Sequence, residues 1–457
     1  MITSHTFRGK RYAVLGLARS GLATVEALVA SGAEVVAWDS NADARAKLGA
    51  GVSLADPLTI DLTGFDGVVV SPGVPINRHP IAEHARGANV PLIGDIELFA
   101  QARASLPPHK VIGITGTNGK STTTALIHHI LQTAGIPSLM GGNIGLPILA
   151  QNPLPTGGVY VLELSSYQID LTHSLDCDIA VLLNITPDHL DRYEGFEDYA
   201  ASKARLFEMQ GANSRAIIFS DDTVTQTIAA RFSERSFPVT TKVWAKEGAS
   251  FARGFYNIRD ELRNHVYLLG QNVSTQDSWP SLQGPHNAQN VVAAVAVTEV
   301  LGKVGRTFTK IHKALRTYPG LPHRMERVRE RNGVLYVNDS KATNATSTAP
   351  ALAAYPAIHW ILGGRAKTDE LDACALHFGN VRAAYTIGEA GPMFAKLLEP
   401  RMSVTECVTL DVAVKKAAAA AQPGETVLLS PACASFDQFA DYEARGAAFR
   451  AAVEALS

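Results

Sequence analysis

Short apolar runs alternate with amphipathic stretches along most of the 457-residue chain. Runs rich in Val, Ile and Leu that end at turn residues are typical of strands buried on both faces of a parallel sheet. They predict strands at 12–16, 34–38, 67–70, 111–115, 159–162, 179–184, 334–337, 360–362 and 426–429. Apolar positions with helical spacing predict helices between them, for example at 20–31 and 287–301. The pattern therefore predicts an α/β fold with largely parallel sheets.

Two turn-rich segments divide this pattern into three predicted domains. Leu106-Pro107-Pro108 breaks the chain just before the fourth predicted strand, and the segment YPGLP breaks it again at 318–322. The predicted domains are residues 1–104, 105–320 and 321–457. Within the second domain, residues 231–283 are polar and are expected to be irregular.

The composition narrows the functional classes. Lys and Arg total 41 against 43 Asp and Glu, a net charge of −2, whereas a nucleic-acid-binding protein usually carries a basic excess. The four cysteines form no C-x-x-C pair, which argues against a disulfide framework and a structural zinc site. No apolar stretch approaches the ~18 residues that span a bilayer, and the N-terminal apolar run is too short for a signal peptide. We expect a cytoplasmic protein that binds small molecules, with no nucleic acid and no membrane insertion.

The segment VIGITGTNGKS at 111–121 combines a strand, a glycine-rich loop and the start of a helix. In this arrangement backbone N–H groups and the helix N-terminus face phosphate groups. Lys120 would contact the β- and γ-phosphates of a nucleotide, and the Ser121 hydroxyl could bind Mg²⁺. The glycine spacing departs from the usual phosphate-binding loop. A glycine-rich turn with an exposed lysine is the alternative interpretation.

Candidate metal ligands follow the next two strands of the same predicted sheet. Glu163 comes directly after the strand at 159–162, and His189 follows the strand at 179–184. A carboxylate at the carboxyl end of a parallel strand is well placed for Mg²⁺. An exposed strand end and an incidental loop histidine are the alternatives.

Lys203 lies on the apolar face of a predicted helix. Positions 196, 199, 203 and 206 recur with helical spacing, so Lys203 points with Phe196, Tyr199 and Leu206 toward the protein. One interpretation is a lysine whose charged end reaches water past apolar neighbours. The other is a lysine held at a site and open to chemical modification.

The turn GLARSG at 16–21 in the first domain matches the dinucleotide motif G-x-G-x-x-G only imperfectly. Asp39 lies where a ribose-binding carboxylate would be expected. A uridine nucleotide or another nucleotide fits this pattern as well as NAD does.

Polar clusters follow three strands of the third domain: NDSKATN at 338–344, GGRAK at 363–367 and SPACAS at 430–435. Any single cluster could be a helix cap. Three together, at the carboxyl ends of strands, predict a crevice for an anionic ligand met by Lys341 and Lys367.

A set of short motifs resembles the Mur ligases, the ATP-dependent amide-forming enzymes of peptidoglycan synthesis. The motifs run in order through the second and third predicted domains, and similar segments at 71–73 and 94–98 lie in the first, so the resemblance covers nearly the whole chain. They are GITGTNGKS at 113–121, GGNIG at 141–145, ELSSYQ at 163–168, NITPDHLDRY at 184–193, GPHNAQN at 284–290, LPHR at 321–324, DSKATN at 339–344 and SPACASFDQF at 430–439. Within the family, the segments at 71–73, 94–98, 339–344 and 432–439 look most similar to the D-glutamate-adding members.

The resemblance implies a Rossmann-like domain for the UDP end of the substrate, a central ATPase domain and a C-terminal Rossmann-like domain for the incoming amino acid. It implies that ATP phosphorylates the carboxylate of UDP-N-acetylmuramoyl-L-alanine and that the amine of D-glutamate attacks the acyl phosphate. Phosphorylation supplies the leaving group that a carboxylate lacks, and Mg²⁺ offsets the crowded negative charge. Two Mg²⁺ ions, ATP as co-substrate and a monomeric enzyme are expected.

The resemblance also implies residue roles. ATP would contact Gly116, Thr117, Asn118, Gly119, Lys120, Ser121, Thr122, Asn287, Asn290, Arg324 and Asp339. Mg²⁺ would be held by Ser121, Glu163, His189 and a carbamylated Lys203, and the catalytic residues would be Lys120, Asn143, His189 and Lys203. The UDP-linked substrate would contact Leu17, Ala18, Asp39, Ser40, Gly73, Asn143 and Ser165. D-glutamate would contact His323, Lys341, Thr343, Lys367, Ser435, Phe436 and Tyr442.

Other functions stay open at this point. A ligase of the same superfamily could add another amino acid or act on folate, although the segments at 339–344 and 430–439 argue against it. A non-catalytic nucleotide sensor would be expected to lack the metal and carbamate residues, yet all are present. The hypothesis of an NAD-dependent oxidoreductase rests only on the imperfect glycine motif at 16–21.

Overall fold

The computed structural model describes residues 1–188, 191–234, 236–243, 255–259, 264–268, 271–302 and 308–456. These residues form three sheets that follow one another along the chain. The chain divides into two compact units, residues 1–274 with 290–315, and residues 275–289 with 316–457. The first unit holds the first two sheets and the second unit holds the third. The predicted boundaries at 104/105 and 320/321 stay predictions.

The first sheet has five parallel strands in the order β3-β2-β1-β4-β5. They are β1 (Arg11–Leu15), β2 (Glu34–Trp38), β3 (Val52–Leu54), β4 (Gly67–Val70) and β5 (Leu92–Ile93). The helices α1 (Arg19–Ala30), α2 (Ala42–Arg45) and α3 (Ile81–Gly87) lie between these strands in the sequence, and α4 (Asp95–Ala102) follows β5. The strand order reverses at β1, and the crevice at the carboxyl end of such a strand is where open α/β sheets bind ligands.

The second sheet has nine strands in the order β14-β13-β12-β11-β10-β9-β6-β8-β7. They are β6 (His109–Thr115), β7 (Ser138–Gly142), β8 (Gly158–Glu163), β9 (Ile179–Leu182), β10 (Arg215–Phe219), β11 (Ser236–Val243), β12 (Phe255–Arg259), β13 (Asn264–Leu268) and β14 (Gln271–Thr275). The helices are α5 (Lys120–Thr133), α6 (Ser166–Asp170), α7 (Phe196–Glu208), α8 (Thr223–Arg231), α9 (Pro285–Leu301) and α10 (Phe308–Thr317). Every residue of β8 and β9 is buried, as a parallel strand covered on both faces requires.

The segment at 231–283, expected to be irregular, contains the four strands β11 to β14, so that expectation is wrong. Their sequences, such as NHVYL and QNVST, mix polar and apolar residues without a long apolar run. These segments form strands because they pair with neighbouring strands, although their own sequence pattern does not predict strands. β11 continues the parallel ladder of β10, and β12 and β13 form an antiparallel pair.

The third sheet has six strands in the order β15-β16-β20-β17-β18-β19, and it is parallel except for the pair of β15 with β16. The strands are β15 (Glu326–Arg331), β16 (Val334–Asn338), β17 (Ile358–Gly363), β18 (Val381–Ile387), β19 (Ser403–Val408) and β20 (Thr426–Leu429). Its helices are α11 (Ala345–Leu352), α12 (Gly391–Leu398), α13 (Leu410–Ala420) and α14 (Tyr442–Glu454). Within the described ranges, none of the helices is both long and apolar enough to span a bilayer.

Candidate functional site

The glycine-rich loop between β6 and α5 has a backbone that only glycine adopts readily at two positions. Gly116 has φ +147° and Gly119 has φ +86°, both in the left-handed half of conformational space. A Cβ at Gly119 would lie 2.4 Å from Oδ1 of Asn290. The loop therefore follows a tight path that a side chain at Gly119 would disturb.

The first turn of α5 carries the predicted phosphate-binding side chains. Lys120 Nζ donates hydrogen bonds to the carbonyl oxygens of Gly116 and Thr117, each at 2.9 Å. Ser121 and Thr122 are buried in the same turn. The helix begins after Gly119, which has no side chain to cap it, so its first N–H groups and the positive end of the helix dipole are left for an anion.

Asn184, which follows β9, holds this loop in place. Its carbonyl oxygen accepts a hydrogen bond from the Thr117 N–H at 2.9 Å, and its Oδ1 accepts one from the Asn118 N–H at 2.8 Å. Its Nδ2 donates to the Asn118 carbonyl at 3.1 Å. Asn184 belongs to the NITPDHLDRY motif, but the sequence alone did not assign it this role.

Glu163 ends β8 beside the loop, with its carboxylate buried. The side chain is 2% exposed, and Oε1 accepts a hydrogen bond from Asn143 Nδ2 at 3.1 Å. Oε2 is buried and receives no hydrogen bond from the described residues. A buried carboxylate oxygen without a donor is costly unless a cation compensates it, so this atom fits a Mg²⁺ ligand.

The other expected metal ligands are only partly described. His189 lies outside the described residues. Within the described ranges, no three His, Cys, Asp or Glu side chains converge as a metal cage. A site built from the Ser121 hydroxyl and a single carboxylate suits Mg²⁺, which usually keeps several waters.

Lys203 points into the protein, which confirms its predicted orientation. The side chain is 1% exposed, its Nζ donates to the Gly116 carbonyl at 3.1 Å, and it lies 4.5 Å from the centre of the Tyr199 ring. Burial, with a smaller contribution from the positive charge of Lys120, holds the pKa of Lys203 well below its ordinary value. The neutral amine that this favours is nucleophilic.

Five of the predicted UDP-binding residues, Leu17, Ala18, Asp39, Ser40 and Gly73, lie at the carboxyl edge of the first sheet. The Leu17 N–H donates to Asp39 Oδ2 at 2.7 Å, and Ser71 Oγ donates to the Gly16 carbonyl at 2.9 Å. The helix α1 begins after Ala18, whose side chain cannot cap it, so its first N–H groups are left for a phosphate. Ser40 and Gly73 belong to the same loops, which follow β2 and β4.

Asn143 and Ser165 follow strands of the second sheet. The Asn143 N–H donates to the Glu163 carbonyl at 2.8 Å, which holds Asn143 beside the buried carboxylate. Ser165 caps α6, and its Oγ accepts a hydrogen bond from the Gln168 N–H at 3.2 Å. The structure adds Arg19, which donates to the Gly145 carbonyl at 2.8 Å and joins the two sheets at this edge.

In the second unit, Asp339 is buried at the end of β16. Its Oδ1 accepts from the Met325 N–H at 3.1 Å, its Oδ2 accepts from Ser430 Oγ at 2.8 Å, and burial raises its pKa to about 7. Nε of Arg324 is buried and finds no hydrogen-bond acceptor in the described part of the chain. Asn287 lies in the same unit, whereas residues 116–122 and Asn290 lie in the first.

The three polar clusters of the third sheet are joined, as the predicted crevice requires. Arg365 and Ala434 exchange backbone hydrogen bonds at 2.9 and 3.0 Å. Arg445, which is 1% exposed, donates to the carbonyl oxygens of Ser340 and Cys433 at 2.8 and 3.0 Å. Arg445 was missed because its position on α14 gives no sign of the loops it reaches.

The predicted D-glutamate residues differ in exposure. Lys341 Nζ lies 5.2 Å from the centre of the Tyr442 ring, and the Lys341 N–H donates to the His323 carbonyl at 3.0 Å, so these three lie together. Ser435 is buried, and Phe436 is 64% exposed. The remaining two, Lys367 and Thr343, are exposed and half-buried respectively.

Comparison with known proteins identifies relatives along the whole chain. Residues 114–298 match the model of the Mur ligase middle domain, and residues 323–433 match the Mur ligase glutamate ligase domain. UDP-N-acetylmuramoylalanine--D-glutamate ligase of Novosphingobium aromaticivorans is 61% identical over 456 residues, covering 100% of this chain and 97% of the relative. The chain belongs to the Mur ligase family. The enzymes with the same name from Sphingopyxis alaskensis and Zymomonas mobilis are 59% and 56% identical, with 100% of each chain covered.

Solved structures of Mur ligases share the fold. UDP-N-acetylmuramate-alanine ligase of Thermotoga maritima has a TM-score of 0.59 at 16% identity, with 97% of this chain and 99% of that chain covered. UDP-N-acetylmuramoylalanyl-D-glutamyl-2,6-diaminopimelate--D-alanyl-D-alanyl ligase of Acinetobacter baumannii also has a TM-score of 0.59 at 16% identity, with 98% and 93% covered. The expected α/β, three-domain Mur architecture and the expected ligase class are thereby confirmed.

Proposed function

We propose that the protein joins D-glutamate to UDP-N-acetylmuramoyl-L-alanine, with hydrolysis of ATP to ADP and phosphate, in cytoplasmic peptidoglycan precursor synthesis. The observation that carries the proposal is full-length identity of 56–61% to three ligases of that name. The glycine loop, the uncapped start of α5 and the buried Glu163 support an ATP-dependent reaction at the second sheet.

In this account, residues 116–122 hold the phosphates of ATP, with the N–H groups at the uncapped start of α5 as donors, because those of Thr117 and Asn118 already donate to Asn184. Lys120 neutralises the transferring phosphoryl group. Asn290, which packs against Gly119, contacts the nucleotide from the same unit. From the second unit, the residues assigned to ATP are Asn287, Arg324 and Asp339.

Ser121, Glu163, His189 and carbamylated Lys203 are assigned to Mg²⁺, with two ions in the complete site. Mg²⁺, when bound, neutralises the charge that accumulates between the phosphates and the substrate carboxylate. The neutral amine of Lys203 suits carbamylation: its nitrogen bonds to the carbon of CO₂ and loses a proton, which replaces a buried neutral amine by an anion. The orphaned Oε2 of Glu163 supports the assignment of a cation here.

The substrates are assigned to the carboxyl edges of the first and third sheets, together with Asn143 and Ser165 of the second. Leu17, Ala18, Asp39, Ser40, Gly73, Asn143 and Ser165 contact the UDP-linked substrate. D-glutamate contacts His323, Lys341, Thr343, Lys367, Ser435, Phe436 and Tyr442. The protein works as a monomer with the three domains 1–104, 105–320 and 321–457.

The experiment follows labelled D-glutamate into a UDP-linked product in the presence of ATP and Mg²⁺. Wild-type protein should form the product, and Glu163→Gln should lose activity by about two orders of magnitude or more, because it removes a preorganised charge and keeps the side-chain volume. Glu208→Gln is the matched control, since Glu208 pairs with Arg231 at the surface at 2.9 Å. No labelled product from wild-type protein, or full activity in Glu163→Gln, would contradict the proposal.

A further inference from the structure

Two arginines join the first sheet to the second by reciprocal hydrogen bonds. Arg78, in the segment after β4, donates from Nη2 to the Asp191 carbonyl at 2.7 Å. Arg192, in the segment after β9, donates from Nη2 to the Gly73 carbonyl at 2.9 Å. Each segment therefore supplies one guanidinium and one peptide carbonyl. We call these two bonds the arginine clamp.

Aromatic side chains of α6 and of the segment after β9 orient the Arg192 half of the clamp. The guanidinium lies 4.6 Å from the centre of the Tyr167 ring, and Tyr167 stacks on Tyr193 with ring centres 6.2 Å apart and planes inclined by 16°. Tyr193 in turn donates a hydrogen bond from its hydroxyl to Asp170 Oδ2 at 2.8 Å. A planar guanidinium held on an aromatic face has a fixed direction, which a lysine ammonium in the same place would lack.

The clamp lies between the two halves of the proposed reaction. Gly73 belongs to the substrate edge of the first sheet, next to Ser71, which donates to the Gly16 carbonyl. The segment after β9 contains Asn184, which holds the phosphate-binding loop through Thr117 and Asn118. The two arginine bonds therefore join the segment that holds Gly73 to the segment that holds Asn184.

We propose that Arg78 and Arg192 are positioning residues that set the register between the UDP-linked substrate and the phosphate-binding loop. This inference rests on the proposed function. Neither side chain needs to touch a reacting atom, because each acts on the backbone of the opposite segment. A misplacement of about 1 Å between reacting groups can cost roughly 100-fold in rate, so small changes in the clamp should appear in kcat.

The first test does not require the reaction. Hydrogen exchange of the free protein should show several-fold faster exchange of amides in residues 71–78 in Arg192→Ala and in the Arg78→Ala, Arg192→Ala double variant. Arg215→Ala is the matched control, because Arg215 donates to carbonyls of its own segment, including that of Ser214 at 3.1 Å. Unchanged exchange at 71–78 in the double variant would overturn the clamp, whatever the reaction of the protein.

The second test compares the effect of each variant on kcat with its effect on the KM for ATP. Each single alanine variant should lose about 10-fold in kcat, while the KM for ATP stays within about twofold of wild type. The double variant should lose more than the product of the two single losses, because either bond alone still joins the segments. Arg78→Lys should recover most of the Arg78→Ala loss, whereas Arg192→Lys should not.

Equal effects on kcat and on the KM for ATP, or a double variant within twofold of wild type, would overturn the positioning role. If wild-type protein itself formed no product with D-glutamate, the proposed function would fail, and the exchange experiment would still decide whether the clamp exists.

Discussion

At the scale of single residues, burial determines what Lys203 and Asp339 can do. Lys203 is buried against the Tyr199 ring and bonded to the Gly116 carbonyl, in surroundings that disfavour its charged form. Asp339 is buried between Met325 and Ser430, and its pKa is raised to about 7. In both cases burial favours the neutral form, which is that of a base for Lys203 and that of an acid for Asp339.

Replacement of Lys203 tests the carbamate. Lys203→Ala should lose about two orders of magnitude or more in ligation rate, because it removes the proposed anion. Short carboxylic acids such as acetate should restore part of the activity, since they fit the vacated space and supply the same charge. The measurement is the ligation rate of the variant with and without acetate. Full activity without acetate would contradict the carbamate assignment.

Asp339 should make the stability of the second unit depend on pH. Its pKa is about 7 in the folded chain against an ordinary value of 3.8, so the folded state holds the extra proton between these values. The free energy of unfolding should therefore fall as pH rises from about 4 to 7. Asp339→Asn keeps an acceptor for the Met325 N–H but cannot titrate.

Urea denaturation of both proteins at pH 4.5 and 7.5 is the measurement. The wild-type stability relative to Asp339→Asn should fall by at least about 1 kcal/mol between these two pH values. Parallel pH profiles for the two proteins would show that the Asp339 carboxyl does not titrate as expected.

At the scale of elements, the phosphate-binding loop depends on one glycine at the start of α5. Gly119 combines φ +86° with a close approach to Asn290. Gly135, just beyond the end of the same helix, has φ +78°, and a Cβ there would have open space around it, with none of the described atoms within 4 Å. The two glycines thus share a backbone conformation and differ in surroundings.

Alanine at these two glycines should therefore have different effects. Gly119→Ala should raise the Kd for ATP at least ~10-fold, because a strain of about 1–3 kcal/mol falls on the loop itself. Gly135→Ala should cost about 1 kcal/mol of stability and leave the Kd for ATP unchanged. Nucleotide titration of both variants is the measurement. Equal affinities would show that the loop tolerates a side chain at Gly119.

The same elements show what the sequence could predict. β2, β4 and β20 have the predicted bounds, because each is a short apolar run between turn residues. The inward direction of Lys203 followed from helical spacing alone. The strands β11 to β14 were missed because their order depends on pairing rather than on their own pattern.

At the scale of the whole molecule, the motifs that predicted the family are spread over the second and third sheets, and similar segments at 71–73 and 94–98 follow strands of the first. Those within one loop, such as the glycine loop before α5, could be interpreted locally. The partners of Glu163 and the arginine clamp could not be predicted locally, because the residues that they join are distant in sequence and are brought together by the order of the strands. Asn143, for example, reaches Glu163 because β7 pairs with β8. The net charge of −2 likewise gave no sign of anionic substrates, since uncapped helix starts and single lysines provide the local positive potential.

The most direct test of the central claim is phosphate release from ATP and Mg²⁺ with UDP-N-acetylmuramoyl-L-alanine, measured against a panel of D- and L-amino acids. The account predicts release that depends on D-glutamate and stays at background with L-glutamate and the other amino acids. Release with a different amino acid, or release with none, would contradict it.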